Sequence, residues 1–278
     1  MKRYTGPVKA IRALDRGLEV LLRLSTAGSH SLHELHLATG TPKASLLRIL
    51  GTLEARGVVW RRIADGRYSA GHHLVRRARY VAQTERLVQA ASPVLDRLCE
   101  TTLWPSDLAI PRRDCMEICE TNRPHAPIHV NRKLIGLKVP MLQTAHGRAY
   151  LSFCDEARRE AVLSRLCRSK RFGNEAARNR AWVVRVIEET RAQGYGTRDP
   201  SYGARGASSR PGQGDGLLAI AVPVHAGGAI VGTVNILWVA RVATEDQIAR
   251  RHLEELRGAA RLIGENFDRS QAIARTAC

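Results

Sequence analysis

The sequence predicts an α+β protein built in two parts, and three observations point there. Residues 8–71 read as three short helical segments followed by a strand, a tight turn and a strand, whereas helices and strands alternate from about residue 86 onward. Charge is uneven: residues 1–84 carry 15 Lys and Arg against 5 Asp and Glu, a net of +10, while the other 194 residues hold a net of only +8. The length of 278 residues also suits two domains at ~100–200 residues each.

In the first part, Leu14, Leu18, Leu21 and Leu22 recur at helical spacing until Thr26-Ala27-Gly28 ends the run. Ser31 starts a second helix reaching Ala38. Glu34, three residues on, completes a capping box, and Leu32, Leu35 and Ala38 face inward. Thr39-Gly40 breaks this helix. Thr41 then caps a third, with Pro42 at the first helical position, where its missing N–H does no harm. Leu46, Ile49, Leu50 and Leu53 form the buried stripe, and Gly57 stops the helix. Leu47 is assigned to the core, with contact to a thymine methyl as the alternative. Val58 to Ile63, the turn Asp65-Gly66 and Arg67-Tyr68-Ser69 form a hairpin.

Residues 72–85 form a basic linker helix. Beyond it, helices are expected at 86–101, 142–153, 155–168, 176–193 and 244–268, and strands at 106–111, 115–121, 126–131, 217–225 and 229–238. Ala226-Gly227-Gly228 turns the last two strands into a hairpin. Residues 194–216, rich in Gly, Ser, Arg and Pro, read as a flexible or ligand-gating loop. The domains are thus expected at 8–71 and 86–272.

Composition excludes several classes. No apolar run reaches the ~18 residues of a membrane span, and the first residues have no apolar segment behind their charges, so neither a membrane protein nor a signal peptide is expected. The six cysteines are scattered through a chain large enough to build its own core, which points to reduced thiols and a cytoplasmic setting. The formal charge of +18 favours a polyanionic partner. The sequence has no G-x-S-x-G elbow, H-E-x-x-H helix, P-loop or G-x-G-x-x-G, so no enzyme is expected.

Helix, helix–turn–helix and hairpin in this order make a winged helix-turn-helix, in which the third helix enters the major groove and the wing reaches the adjacent backbone. Candidate contacts to double-stranded DNA are Ser31, Thr41, Lys43, Ala44, Ser45, Arg48 and Thr52. Arg61, Arg62 and Arg67 on the wing are expected to neutralise phosphates. The alternatives are a sensor or interaction protein whose winged helix does not bind DNA, and a metabolic enzyme.

The segments IRALDRGLEVLLRL and GTPKASLLRILGTLEARGVVW resemble the N-terminal domain of the IclR family of bacterial transcription regulators. KVPMLQTAHGRAYLSF resembles that family's second signature, and LLAIAVPVHAGGAIVGTVNILWV its late hairpin. LWPSDLAI with HVNRKLIGLKVPMLQTA further resembles the branch regulating phenylpropionate-type aromatic acid catabolism. Ala44 and Leu46-Leu47 depart from the family's commoner residues, so no operator sequence carries over.

The resemblance implies a ligand-responsive regulator of catabolic genes that self-associates as a dimer or tetramer. Its C-terminal domain would be GAF-like, an antiparallel sheet flanked by helices, and would bind a small carboxylate, aromatic acids included. It places effector contacts at Val139, Ala145, His146, Ser208, Leu218, Asn235 and Leu237. The residues themselves agree in part, because a helix starting near Ala145 offers free amides to an anion. Asn235 reads either as a structural hydrogen bonder or as a pocket amide, Arg132 either as a counter-charge or as a solvated side chain, and Trp104 either as an aromatic wall or as core.

Cys115, Cys119, His125 and His129 invite a zinc reading, but their spacing departs from a zinc finger's. No cofactor is expected.

Overall fold

A computed structural model of the chain describes residues 11–26, 28–126, 134–171, 173–200, 202–203 and 215–276. It divides into two compact units between Gln83 and Thr84, inside the expected linker.

The first unit contains α1 (Arg12–Thr26), α2 (Leu32–Thr39), α3 (Lys43–Ala55), β1 (Val59–Arg61) and β2 (Tyr68–Ala70). The capping box of α2 is formed: Ser31 Oγ accepts from Glu34 N at 3.2 Å, and Ser31 N donates to the Glu34 carboxylate at 2.9 Å. Gly40 ends α2 in the left-handed region, and its N–H returns to His36 O. Gly57, at φ +67°, ends α3. Its N–H goes to Glu54 O and that of Val58 to Leu53 O, a Schellman closure. β1 and β2 pair antiparallel from Val59↔Ala70 to Arg61↔Tyr68. Val20, Leu24, Leu35, Leu46, Leu50, Val59 and Tyr68 fill the core between these elements.

Four expectations for this unit are corrected. Thr41 does not cap α3: it is buried in the α2–α3 turn, with its N–H donating to Thr39 Oγ1 and its carbonyl accepting from His36. Pro42 occupies the N-cap position, with extended backbone and no side-chain cap. Ala38 is exposed, leaving Leu35 as the buried residue of α2. Leu47 is half exposed and not part of the core, to which α1 contributes Val20 and Leu24.

The second unit is built on a six-stranded antiparallel sheet of order β5-β4-β3-β8-β7-β6. Its strands are β3 (Asp107–Pro111), β4 (Met116–Thr121), β5 (Lys138–Val139), β6 (Gly196–Thr197), β7 (Leu217–Ala226) and β8 (Ala229–Val239). Gly227 and Gly228 both have positive φ, as a two-residue I′ hairpin turn demands. Its helices are α4 (His72–Thr102) from Thr84 onward, α5 (Ala145–Phe153), α6 (Glu156–Arg168), α7 (Arg180–Gln193) and α8 (Glu245–Thr276), with a 3₁₀ turn at Glu175–Arg178.

The linker and the helix expected after it are one continuous α4, which runs through Pro93. Asn266 of α8 donates to Ala90 O one turn before that proline. Of the expected strand 126–131, all but Ala126 lies outside the described residues.

Period-2 alternation gives β7 two apolar faces. Ala219 and Ala221 meet Ala145 and Ala149 of α5, while α8 packs along β7 so closely that a Cβ on Gly264 would overlap His225 O. On the other side of α5, a Cβ at Gly147 would strike the backbone of Met141, so glycine is what lets this helix seat. Buried Arg159 fixes the far end of α5 by donating to the carbonyls of Leu151 (2.7 Å) and Cys154 (2.6 Å). α5 is thus held at both ends, by the close Gly147–Met141 approach and by Arg159.

Candidate functional site

Two surfaces gather the candidate residues, one in each unit. On α3 the residues opposite the core stripe are Lys43, Ala44, Leu47, Arg48, Gly51 and Thr52, all exposed. Ser45 is half-buried and lies with Thr52 and Arg48 along the groove facing α1. Thr52 spends its hydroxyl proton on Arg48 O at 2.8 Å. Among the described residues no carboxylate pairs with Lys43 or Arg48, so their charges are available to a polyanion.

The wing divides its arginines. Arg62 is paired with Asp65 across the turn. Arg67 donates to both oxygens of Glu34, at 3.1 and 2.6 Å, and to Ser29 O. That contact and the Ser31 backbone N–H hold the Glu34 carboxyl below its ordinary range, the backbone bond being the larger cause. Arg67 thus ties the wing to the start of α2, and its charge is already paired with Glu34. Arg61 lies over the Tyr68 ring at 5.6 Å, with Nε on Gly66 O, and has no carboxylate partner among the described residues. Ser31 Oγ accepts as the cap of α2, and Thr41 is buried.

In the second unit a cavity of about 70 Å³ opens between the start of α5 and the sheet. Ile118, Leu134, Leu137, Val139, Leu217 and Leu237 make its apolar wall. At one end Thr144 caps α5, its Oγ1 accepting from Gly147 N at 3.2 Å. The N–H groups of Ala145 and His146 have no acceptor among the described residues, so the positive end of the helix faces the cavity.

His146 is buried. Its Nδ1 lies 2.8 Å from Thr233 Oγ1, and its Nε2 has no partner. With the Thr233 hydroxyl donating to Nδ1 the ring proton sits on Nε2 as a donor; with the roles reversed Nε2 is an acceptor. Burial pushes the imidazole down to about 4, so the ring is neutral at pH 7.

Two ion pairs complete the polar lining. Buried Asp107 accepts from Arg123 Nε at 2.9 Å and from its terminal nitrogen at 2.6 Å, and from Thr121 Oγ1 at 2.7 Å. Burial alone would raise this carboxyl, but the Arg123 charge and these bonds outweigh it and hold it below the ordinary value. Arg198 pairs with Asp215 at 2.6 Å and lies over the Tyr202 ring at 4.8 Å.

Of the expected effector contacts, Val139, Ala145, His146, Asn235 and Leu237 line this cavity. Asn235 fills both readings, since it also accepts from Asp107 N at 2.6 Å. Leu218 does not line it: it pairs with Trp238 on the opposite face of the sheet, and its neighbour Leu217 takes the wall position. Trp104 is half-buried beyond the turn at Leu103 and is not on the cavity wall. Arg132 and Ser208 lie outside the described residues. Sequence reading missed Asp107, Arg123, Arg198 and Asp215. Buried ion pairs join residues far apart in the chain and leave no local pattern.

Cys119 points its thiol at Leu108 O, and burial raises it to about 12, far from a thiolate ligand. His125 contacts Asp96 at the surface, and His129 lies outside the described residues. Among the described residues no three His, Cys, Asp or Glu converge as metal ligands, and no helix is long and apolar enough to cross a membrane.

Residues 13–62 match the IclR helix-turn-helix domain, and residues 79–265 match the bacterial transcriptional regulator IclR C-terminal family. The chain is 28% identical over 172 residues to the acetate operon repressor of Salmonella typhimurium, covering 58% of this chain and 60% of that protein. It is 26% identical over 187 residues to the HTH-type transcriptional regulator XynR of Escherichia coli, covering 66% and 73%. The alignment thus spans about three fifths of the first relative's length.

Among solved structures, the Thermotoga maritima IclR superposes with a TM-score of 0.51 at 21% identity, covering 93% of this chain and 100% of that one. An IclR family regulator from Brucella abortus gives 0.52 at 19%, covering 94% and 96%. These two likenesses speak for the fold. Matched along both of its units, the chain belongs to the IclR family of bacterial transcriptional regulators.

Proposed function

We propose that this chain regulates catabolic genes from the cytoplasm, binding operator DNA as a dimer and responding to a small carboxylate. The observation that carries the effector reading is the start of α5: two backbone N–H groups and a buried imidazole nitrogen, without partners among the described residues, border one largely apolar cavity. Such a helix terminus is a ready seat for an anion, and the apolar wall takes the acid's hydrocarbon part.

Self-association is supported by the exposed stripe of Leu14, Leu18 and Leu22 along α1. A dimer would set two copies of α3 about one helical turn apart on a palindromic site. The effector acts only if it binds two arrangements of the regulator with different affinity.

A thermal-shift screen of small aliphatic and aromatic monocarboxylates tests the ligand. A binder at 100 times its Kd adds about 2.7 kcal/mol of stability. If no acid stabilises the protein, the effector reading fails.

Salt dependence tests the interface. Each phosphate contact contributes about −0.9 to the slope of log K against log salt. Arg61→Ala is expected to make the slope shallower by about 0.9 per protomer, and Arg67→Ala to leave it unchanged because that charge is committed to Glu34. Equal effects of the two substitutions would show that the division of the wing arginines is wrong.

A further inference from the structure

The outer face of α3 has an unusual make-up for a surface that meets a charged, hydrogen-bonding duplex. Along it run Ala44, Leu47, Arg48 and Gly51. Ala44 and Gly51 reach nowhere, and a Cβ at Gly51 would meet open space. The side chains projecting between them are therefore Arg48 and Leu47, and Leu47 is 50% exposed although the unit's core is complete without it. Short residues on both sides let the helix axis approach the groove floor, which brings this pair to the base edges. Arginine matches the two acceptors of guanine. Leucine has no donor or acceptor, and one feature of the major-groove edges is apolar: the C5 methyl of thymine.

We propose that Leu47 is a specificity-determining residue that reads a thymine methyl in each half-site, beside the base contacted by Arg48. The proposal rests on the DNA-binding reading above. It makes part of the operator's sequence preference a matter of apolar contact alone. Leu47 then carries little of the affinity for random DNA, which is left to Lys43, Arg48 and Arg61.

The test begins by selecting operators from a randomised duplex library with the full-length protein. Each thymine of the selected half-site is then replaced in turn by deoxyuridine, which removes only the methyl. One thymine per half-site should show a loss of about fourfold, the worth of one buried methyl-sized group, and about fifteenfold when both half-sites are changed. With Leu47→Ala that penalty should vanish, while Lys43→Ala should lower affinity overall and keep it.

A flat deoxyuridine scan with the wild-type protein overturns the proposal, and so does an undiminished penalty with Leu47→Ala. The scan on the wild-type protein stands even if the variant folds poorly. A selection that enriches no sequence would instead count against the DNA-binding reading itself, so the two failures are distinct. Loss of self-association in Leu47→Ala, with the uracil penalty intact, would assign the side chain to a protein contact and overturn the proposal.

Discussion

Asp107→Ala is expected to destabilise the C-terminal unit by about 3–5 kcal/mol, a large part of a typical domain's stability. The carboxylate is 1% exposed and takes two bonds from Arg123, itself 7% exposed, so its loss removes the counter-charge of a buried guanidinium. That lost counter-charge is the costly part. Replacing both partners, Asp107→Ala with Arg123→Met, should therefore recover much of the stability, because a buried pair exchanged for apolar groups is often neutral. Urea unfolding followed through buried Trp238 would measure both variants. A single variant within 1 kcal/mol of wild type, or a double variant worse than the single, would contradict this account. The same pair lines the cavity, so a variant that folds should also have altered effector affinity.

Where the sequence spoke through local rules, it was read correctly. Ser31 with Glu34, Gly40, Gly57 and the Gly227-Gly228 turn each impose a backbone geometry on their immediate neighbours, and those boundaries stand in the structure. Errors arose where a residue's environment is set by distant chain. Leu47 was assigned to the core, yet Val20 and Leu24 of α1 complete it with Leu46 and Leu50 and leave Leu47 half exposed. A shift of one residue in β7 exchanged Leu218 for Leu217, because strand alternation gives both faces the same apolar signature here.

Thr41 carried a capping residue's chemistry, but the tight α2–α3 turn buried it first. The partner of Arg67 was not legible, because the fold brings Glu34 to it from 33 positions away. The start of α5 was legible because its cap and its free amides are local, whereas the arginine–aspartate pairs around it join β3 to the turn after β4, and the residue after β6 to one just before β7, which only the sheet topology reveals.

His146 makes stability fall between about pH 6.5 and 4 in a way that reports on the cavity. Burial holds the folded ring near 4, below the ~6.5 of the unfolded chain, so in this window the unfolded state binds the extra proton. The contribution is fully present above pH 6.5, declines by up to about 1.4 kcal/mol per pH unit, and amounts to roughly 3 kcal/mol lost by pH 4. Asp107, with its folded value depressed, loses its contribution only at lower pH, as the carboxyl takes up its proton below the ordinary range. The two groups are therefore separable.

His146→Gln should flatten the decline between pH 6.5 and 4 and leave the acid limb in place. A carboxylate seated at Nε2 would supply the opposite charge that burial denies the ring, so a bound effector should raise the histidine's value and soften the same decline. Calorimetry in buffers of different ionisation enthalpy, run near pH 5, should then show proton uptake on binding in the wild-type protein and little in His146→Gln. Effector binding with no proton uptake at that pH would mean that the acid does not sit against the imidazole.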